Sequence, residues 1–263
     1  MLARHGGHVT KLGSFACLLA LPLSAGAHDI WIESTPRVRV GGGVNLALML
    51  GNHGNRHRDF KLASRVSDAD RKLVVYGPIG TKYDLSSSLL TEGMEPGEGF
   101  WTGRFQPESP GLYMAASRFD KVMSYAPVRD IKSAKTFFEV LPAADQASIP
   151  LDGYRKPLGH ALEIVPLNTP TMPYGLGAFT VQVLYKGKPL PRTKVSFIPR
   201  GVKLQGELDA RFERLTDSLG KATIRLTDPN TYLVAAHLTD ENAKGKGYES
   251  IHYSATLCLN LNL

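Results

Sequence analysis

Cysteine, tryptophan and long apolar runs are scarce in this chain of 263 residues. One of its two cysteines, Cys17, lies in an N-terminal leader, so a processed chain keeps only Cys258 and has no intrachain disulfide. Beyond the leader, no stretch approaches the roughly 18 consecutive apolar residues of a membrane-spanning helix. We therefore expect no membrane span, and hydrophobic cores that are stable without a covalent link.

Charge of one sign is not concentrated anywhere either. Charged residues make up 21% of the chain and the formal net charge is +7, but no basic helix or arginine cluster is present. Scattered charge of this kind argues against a nucleic-acid partner. The hydrophobic share of 43% excludes extended disorder and predicts a globular protein.

Residues 1–27 have the pattern of a cleaved secretory signal peptide. The start is basic and contains no acidic residue, residues 15–21 form a short apolar run, and residues 25–27 (Ala-Gly-Ala) form a small-x-small cleavage site. The pattern predicts export to the periplasm. Cleavage after this site would make His28 the first residue of the mature chain.

The rest of the chain consists of short alternating or apolar segments separated by Gly, Pro and Asn, which is typical of β-strands. The clearest candidates are residues 44–50, 72–76, 99–105, 111–116, 136–140, 179–185, 194–198, 222–226, 232–237 and 252–261. Helical periodicity is sparse. We expect an all-β protein of two tandem antiparallel β-sandwich domains, Ig-like or transthyretin-like, over residues 28–141 and 158–263 with a linker at 142–157.

Histidines are the residues that point to chemistry. An N-terminal His28 could chelate a metal ion through its α-amine and its imidazole in one ring. The α-amine has a pKa of about 7.7–8.0, so its deprotonation near neutral pH costs little. Nitrogen ligands in this arrangement suit Cu(II) or Ni(II). The alternative is that signal-peptide cleavage leaves a histidine before a strand with no function.

Four further histidines are candidate metal ligands. His53 and His57 share a loop rich in Gly and Asn, His237 ends an apolar strand, and His252 begins the last strand. The ends of strands in a sandwich bring loops together, so these side chains could complete a site with His28. A solvated loop and ordinary strand-end histidines are the alternatives that remain open.

Known catalytic motifs are missing from the sequence. It contains no Gly-x-Ser-x-Gly elbow, phosphate-binding loop, His-Glu-x-x-His pair or EF-hand loop. Cys258 alternates with apolar residues, which is typical of an inert buried thiol. We therefore expect a protein that is not an enzyme.

Several blocks of the sequence resemble one exported bacterial family of unknown function, described as a periplasmic component of nickel or cobalt uptake. They are residues 27–32 (AHDIWI), 131–135 (IKSAK), 156–159 (KPLG), 162–167 (LEIVPL), 183–190 (VLYKGKPL), 216–222 (TDSLGKA), 248–250 (YES) and 253–257 (YSATL). The resemblance implies a two-domain β protein found near metal transporters or outer-membrane receptors. It implies His28, His53 and His237 as ligands; His57 and His252 come from spacing and strand position.

The sequence thus predicts a periplasmic protein that binds a divalent transition metal, nickel or cobalt with copper close behind, through His28, His53, His57, His237 and His252. Its partners would be the metal ion and a metal transporter or outer-membrane receptor. A copper oxidase of the histidine-brace kind would share His28. A structural or partner-binding sandwich would need none of these histidines.

Overall fold

A computed structural model describes residues 28–51, 70–93, 99–143 and 151–262. Within these ranges the chain forms β-strands and one short 3-10 turn at Ser86–Ser88, with no α-helix. No helix in the described ranges has the length and apolar character needed to cross a membrane. The predicted all-β class is confirmed. The predicted signal peptide, residues 1–27, lies outside the described residues.

Seventeen strands are described. Those of the first half are β1 (Asp29–Ser34), β2 (Arg37–Arg39), β3 (Val44–Gly51), β4 (Val74–Tyr76), β5 (Lys82–Asp84), β6 (Leu90–Glu92), β7 (Phe100–Phe105), β8 (Gly111–Val122) and β9 (Val128–Leu141). Those of the second half are β10 (Leu162–Pro166), β11 (Gly177–Tyr185), β12 (Lys188–Pro189), β13 (Lys194–Pro199), β14 (Glu213–Leu215), β15 (Lys221–Leu226), β16 (Thr231–Asp240) and β17 (Ser250–Asn260).

The strands form three sheets. The N-terminal small sheet has the order β1-β3-β7-β6, and the C-terminal small sheet has the order β10-β11-β12 with β15 also paired to β11. The shared sheet has nine strands in the order β14-β13-β16-β17-β9-β8-β4-β5, with β2 paired to β9. Strands from both halves of the chain therefore belong to one sheet.

A parallel pair joins the two halves within the shared sheet. β17 runs alongside β9 from Ser250 opposite Val128 to Cys258 opposite Thr136, while the other strand pairs are antiparallel apart from β2 with β9. The halves are thus connected by backbone hydrogen bonds as well as by the chain. The predicted boundaries at 141 and 158 remain a prediction; the described part of the predicted linker, residues 142–143 and 151–157, contains no strand.

The two small sheets pack on opposite faces of the shared sheet. Since successive strand residues point to opposite sides, one strand of the shared sheet contributes side chains to both cores. On β9, Phe138 belongs to the first core with Ile32 and Trp101, whereas Phe137 belongs to the second core with Phe179. Burying an aromatic or aliphatic side chain of this size contributes about 1.5–3 kcal/mol. Sandwich packing is therefore confirmed on both faces.

The last strand shows the alternation that the sequence predicts. Tyr253, Ala255 and Leu257 lie in the second core. On the opposite face, Cys258 packs in a small cluster with Trp31. Burial raises the pKa of the Cys258 thiol, so the thiolate needed for reactivity is disfavoured.

Candidate functional site

The start of β1 meets β16 through an ion pair. The Nε2 atom of His237 lies 3.0 Å from Oδ1 and 3.1 Å from Oδ2 of Asp29. The side chain of His237 is 52% exposed and that of Asp29 is 13% exposed. Solvent therefore reaches the imidazole, while the carboxylate that holds it is largely covered.

Side chains of β17 fix the position of β1. The hydroxyl of Thr256 donates a hydrogen bond of 2.7 Å to the carbonyl of Ile30, and the side-chain amide of Asn260 donates one of 3.0 Å to the carbonyl of Ser34. The other edge of β1 pairs with β3. Because Asp29 directly precedes Ile30, these bonds hold its carboxylate against the shared sheet.

A second charged pair lies on the same face of the shared sheet. The Nζ atom of Lys132 is 3.2 Å from Oδ2 of Asp130, and both side chains are almost fully buried. Nδ1 of His252 is 3.8 Å from Oδ1 of the same carboxylate. These residues, together with Asp29 and His237, are named the open cluster below.

Strand register explains why the open cluster assembles. His237 lies opposite Ser254, which in turn lies opposite Lys132. His252 lies two residues before Ser254 on β17 and opposite Asp130. Residues directly opposite, or two apart on one strand, share a face of the sheet. Three adjacent strands therefore present the cluster toward β1.

The charges of the open cluster change the protonation of its members. The negative charge of Asp29 raises the pKa of His237, although burial opposes this rise. Burial disfavours ionised Asp29, but the charge and hydrogen bond of His237 outweigh it and lower the pKa of the carboxyl. The positive charge of Lys132 acts on both groups in the direction of a lower pKa. Protonated His237 with ionised Asp29 is thus the stabilised state.

The structure brings together some of the histidines predicted from sequence. His28 immediately precedes Asp29, and His237 and His252 lie on one face of neighbouring strands. His53 and His57 lie outside the described residues. In the described ranges, no group of three His, Cys, Asp or Glu side chains is placed to hold a metal ion.

Sequence reasoning missed Asp29, Asp130 and Lys132 as members of the site. Asp29 directly follows His28 in the sequence, which is a usable signal. Lys132 lies in the middle of a long buried strand, where an unpaired ammonium is costly. A charge in such a place indicates that a buried carboxylate lies beside it, but the sequence does not identify that carboxylate.

Comparisons with known proteins give a family and a distant structural likeness. The model of a family described as "Domain of unknown function (DUF4198)" matches residues 25–240. No curated protein sequence matches the chain significantly. The N-terminal Ig1-2 module of the Drosophila receptor protein tyrosine phosphatase DLAR is 15% identical, with 88% of this chain and 98% of that chain covered and a TM-score of 0.24. A marsupial T cell receptor is 12% identical, with 87% and 95% covered and the same TM-score of 0.24.

Proposed function

The chain belongs to the DUF4198 family, and we propose that it is an exported, non-enzymatic protein that binds a divalent transition-metal ion at the start of β1. Nickel or cobalt is the proposed ion, with copper next. The observation that carries the proposal is the contact of His237 with Asp29, which brings a second histidine to the residue that follows His28.

The ligand chemistry starts at the mature N-terminus. After cleavage behind Ala27, the α-amine and the imidazole of His28 would form one chelate ring, and both are nitrogen donors suited to nickel, cobalt or copper. Nε2 of His237 faces a carboxylate that also ligates such ions. Metal binding requires His237 to lose its proton, so the ion would take the place that the proton now holds beside Asp29.

Local charge supports a cation at this point. The open cluster contains two carboxylates and one ammonium, so it carries one net negative charge when its histidines are neutral. Lys132 is paired to Asp130, which leaves Asp29 as the carboxylate nearest His237. His252 lies on the far side of Asp130, and we assign it to the border of the site.

His53 and His57 remain ligand candidates from sequence. They follow Gly51, the last residue of β3, and Gly51 is the register partner of Asp29. The chain therefore leaves β3 beside the residue that contacts His237. The resemblance to a periplasmic family of nickel or cobalt uptake supports the same site, with a metal transporter or an outer-membrane receptor as the partner.

Native mass spectrometry of protein exported from its own leader tests the proposal. Nickel, cobalt and copper are offered in turn, and we expect a mature mass that begins at His28 with one retained ion. His28→Ala should lose the ion, and His237→Ala should weaken binding by at least the roughly tenfold that loss of a group hydrogen-bonded to a ligand costs. His160→Gln, a histidine outside the open cluster, is the matched control and should retain the ion.

Further variants and outcomes separate the alternatives. Loss of the ion in His53→Ala or His57→Ala would identify the remaining ligand. A different N-terminus, or no retained ion, would overturn the proposal and leave a structural or partner-binding sandwich. Retained copper with peroxide consumption and substrate turnover would instead indicate an oxidase.

A further inference from the structure

A cavity of about 530 Å³ lies on the second-core face of the shared sheet, opposite to the open cluster. Its boundary is formed by the β4–β5 hairpin, by β8 and β9, and by residues 152–154 and 156–158 of the segment that connects the two halves. Small-molecule sites in proteins fall within about 300–1,000 Å³ and are concave and mostly apolar. The cavity has the size of such a site.

The floor of the cavity is apolar. Leu112 and Met114 of β8 and Phe137 of β9 line it, and all three side chains belong to the second core. Met114 has an unbranched thioether side chain that adapts to the shape of a neighbour. This floor provides a surface for an apolar ring.

The sides of the cavity add aromatic rings and positive charge. Tyr76 of β4 and Tyr154 of the connecting segment both line the cavity, and Nζ of Lys82 lies 5.6 Å from the centre of the Tyr76 ring. Lys156 is a second exposed cation at the boundary, and Asp152 is the one carboxylate among the described lining residues. The lining therefore carries net positive charge.

The nearest buried carboxylate does not cancel this charge. Glu163 forms an ion pair with buried Lys135 and accepts hydrogen bonds from the backbone N–H groups of Leu158 and Gly159 at 2.6 and 2.9 Å. Lys135 offsets its charge, although burial and the charge of Glu163 together raise the pKa of Tyr76 at the cavity wall. Among the lining residues, an anion would meet Lys82 and Lys156 with only Asp152 opposing it.

We propose that this cavity binds a small aromatic carboxylate, with the ring on the apolar floor beside Tyr76 and Tyr154 and the carboxylate at Lys82 and Lys156. Aromatic walls suit a flat ring, and a carboxylate gains charge-assisted hydrogen bonds from ammonium groups. The site is separate from the proposed metal site, because its apolar floor belongs to the second core, on the other face of the shared sheet from the open cluster.

Isothermal titration calorimetry of the mature protein with 2-naphthoate tests this inference. We expect one saturable site, and the double variant Lys82→Gln, Lys156→Gln should bind about tenfold more weakly because two charge-assisted contacts are lost. The double variant Lys244→Gln, Lys246→Gln removes two lysines outside the cavity and should bind like the unmodified protein. The neutral 2-naphthamide should bind about tenfold more weakly than 2-naphthoate.

A second variant tests the place of binding. Leu158→Trp puts a larger side chain at a half-buried lining position and should abolish binding while the unfolding temperature is retained. If Leu158→Trp does not fold, the two lysine double variants decide whether the inference holds. The inference is overturned by the absence of saturable binding up to about 1 mM, by equal weakening in the two lysine double variants, or by equal affinity for the carboxylate and the amide.

Discussion

Lys132 and Lys135 lie three residues apart on β9 and point to opposite faces of the shared sheet. Both side chains are buried, with exposed fractions of 4% and 3%, yet their surroundings differ. Lys135 pairs with Glu163 of β10, whose side chain is 1% exposed; these two residues are named the closed pair. Lys132 belongs to the open cluster, whose histidines are 52% and 38% exposed.

Groups of the same chain fill the hydrogen-bonding capacity of the closed pair. Besides Lys135, the carboxylate of Glu163 accepts three backbone N–H groups, from Leu158, Gly159 and His160. Gly159 has a φ of +80°, a conformation that glycine adopts without strain, and this turn directs successive N–H groups toward the carboxylate. Burial disfavours ionised Glu163, but the charge and hydrogen bond of Lys135, with the N–H of Leu158, outweigh burial and lower the pKa of the carboxyl.

The open cluster, in contrast, has members that can exchange partners. His237 contacts Asp29 through one ring nitrogen and is half exposed, so a proton or a metal ion can reach it. One strand thus carries a lysine in a structural ion pair on one face and a lysine in a candidate binding site on the other. Exposure of the histidines beside the ion pair, not burial of the lysine or of its carboxylate, distinguishes them.

The largest expected effect comes from breaking the closed pair. Glu163→Gln removes the carboxylate and leaves the ammonium of Lys135 buried without a counter-charge. Removal of one partner from a buried pair costs about 3–5 kcal/mol. We expect a loss of this size in the free energy of unfolding, measured by urea denaturation at pH 7.

A matched variant in the open cluster completes this test. Asp130→Asn also removes a carboxylate from a buried lysine, but Asp29 remains nearby and solvent reaches the cluster, so we expect less than half the loss. The double variant Glu163→Gln, Lys135→Met should recover part of the stability. Equal losses for Glu163→Gln and Asp130→Asn would contradict the distinction between the two sites.

The next effect concerns pH. A histidine lies at each of the two sites, and the pKa values of these two histidines shift in opposite directions. Burial, helped by the charge of Lys135, lowers the pKa of His160 to about 4. The unfolded histidine has a pKa of about 6.5, so stability is lost as the pH falls from about 6.5 to 4, by at most about 3 kcal/mol. His160→Gln should remove this loss.

His237 should show the reverse dependence. Its pKa is raised, so its contribution is present below about pH 6.5 and is lost as the pH rises through the raised value. The exposure of its side chain limits the effect to about 1 kcal/mol or less. Imidazole NMR titrations of the unmodified protein, with His160→Gln and His237→Gln used to assign the two resonances, check both directions. Titration of both histidines on the same side of pH 6.5 would contradict the expectation.

The sequence predicts where the strands of this fold lie better than it predicts which strands pair with each other. Alternation in residues 252–261 identifies β17 and separates its two faces, because successive strand residues point to opposite sides; in the structure both faces are buried. The same pattern does not report which strand lies beside it, so the parallel pairing of β17 with β9 came only from the structure. Long-range pairing depends on contacts across 122 residues, as between Thr136 and Cys258.

Buried charge explains where the strand prediction was too short. The sequence predicted a strand at 136–140, whereas β9 extends over Val128–Leu141. Lys132 and Lys135 break the apolar pattern of a buried strand; Lys132 pairs with Asp130 of the same strand, whereas the partner of Lys135 is Glu163 of β10. His28, His237 and His252 could be predicted as candidates from residue type, while the contacts of Asp29 with His237 and of Asp130 with His252 could not.

The smallest expected effect comes from a third ion pair of β9, which lies at the surface. The guanidinium of Arg129 donates two hydrogen bonds of 2.7 and 2.8 Å to Asp120 of β8, and both side chains are about one-third exposed. Exposed pairs contribute about 0.2–1 kcal/mol and are screened by salt. Arg129→Gln should therefore lower the free energy of unfolding by less than about 1 kcal/mol.

Salt separates this surface pair from the closed pair on the same strand. In about 1 M NaCl the Debye length is about 3 Å, so the loss caused by Arg129→Gln should nearly disappear in urea denaturation, while the loss caused by Glu163→Gln should persist. A loss for Arg129→Gln as large as that for Glu163→Gln would mean that burial does not set the strength of these pairs. Glu163→Gln, Asp130→Asn and Arg129→Gln together then rank the closed pair, the open cluster and the surface pair by their effect on the free energy of unfolding.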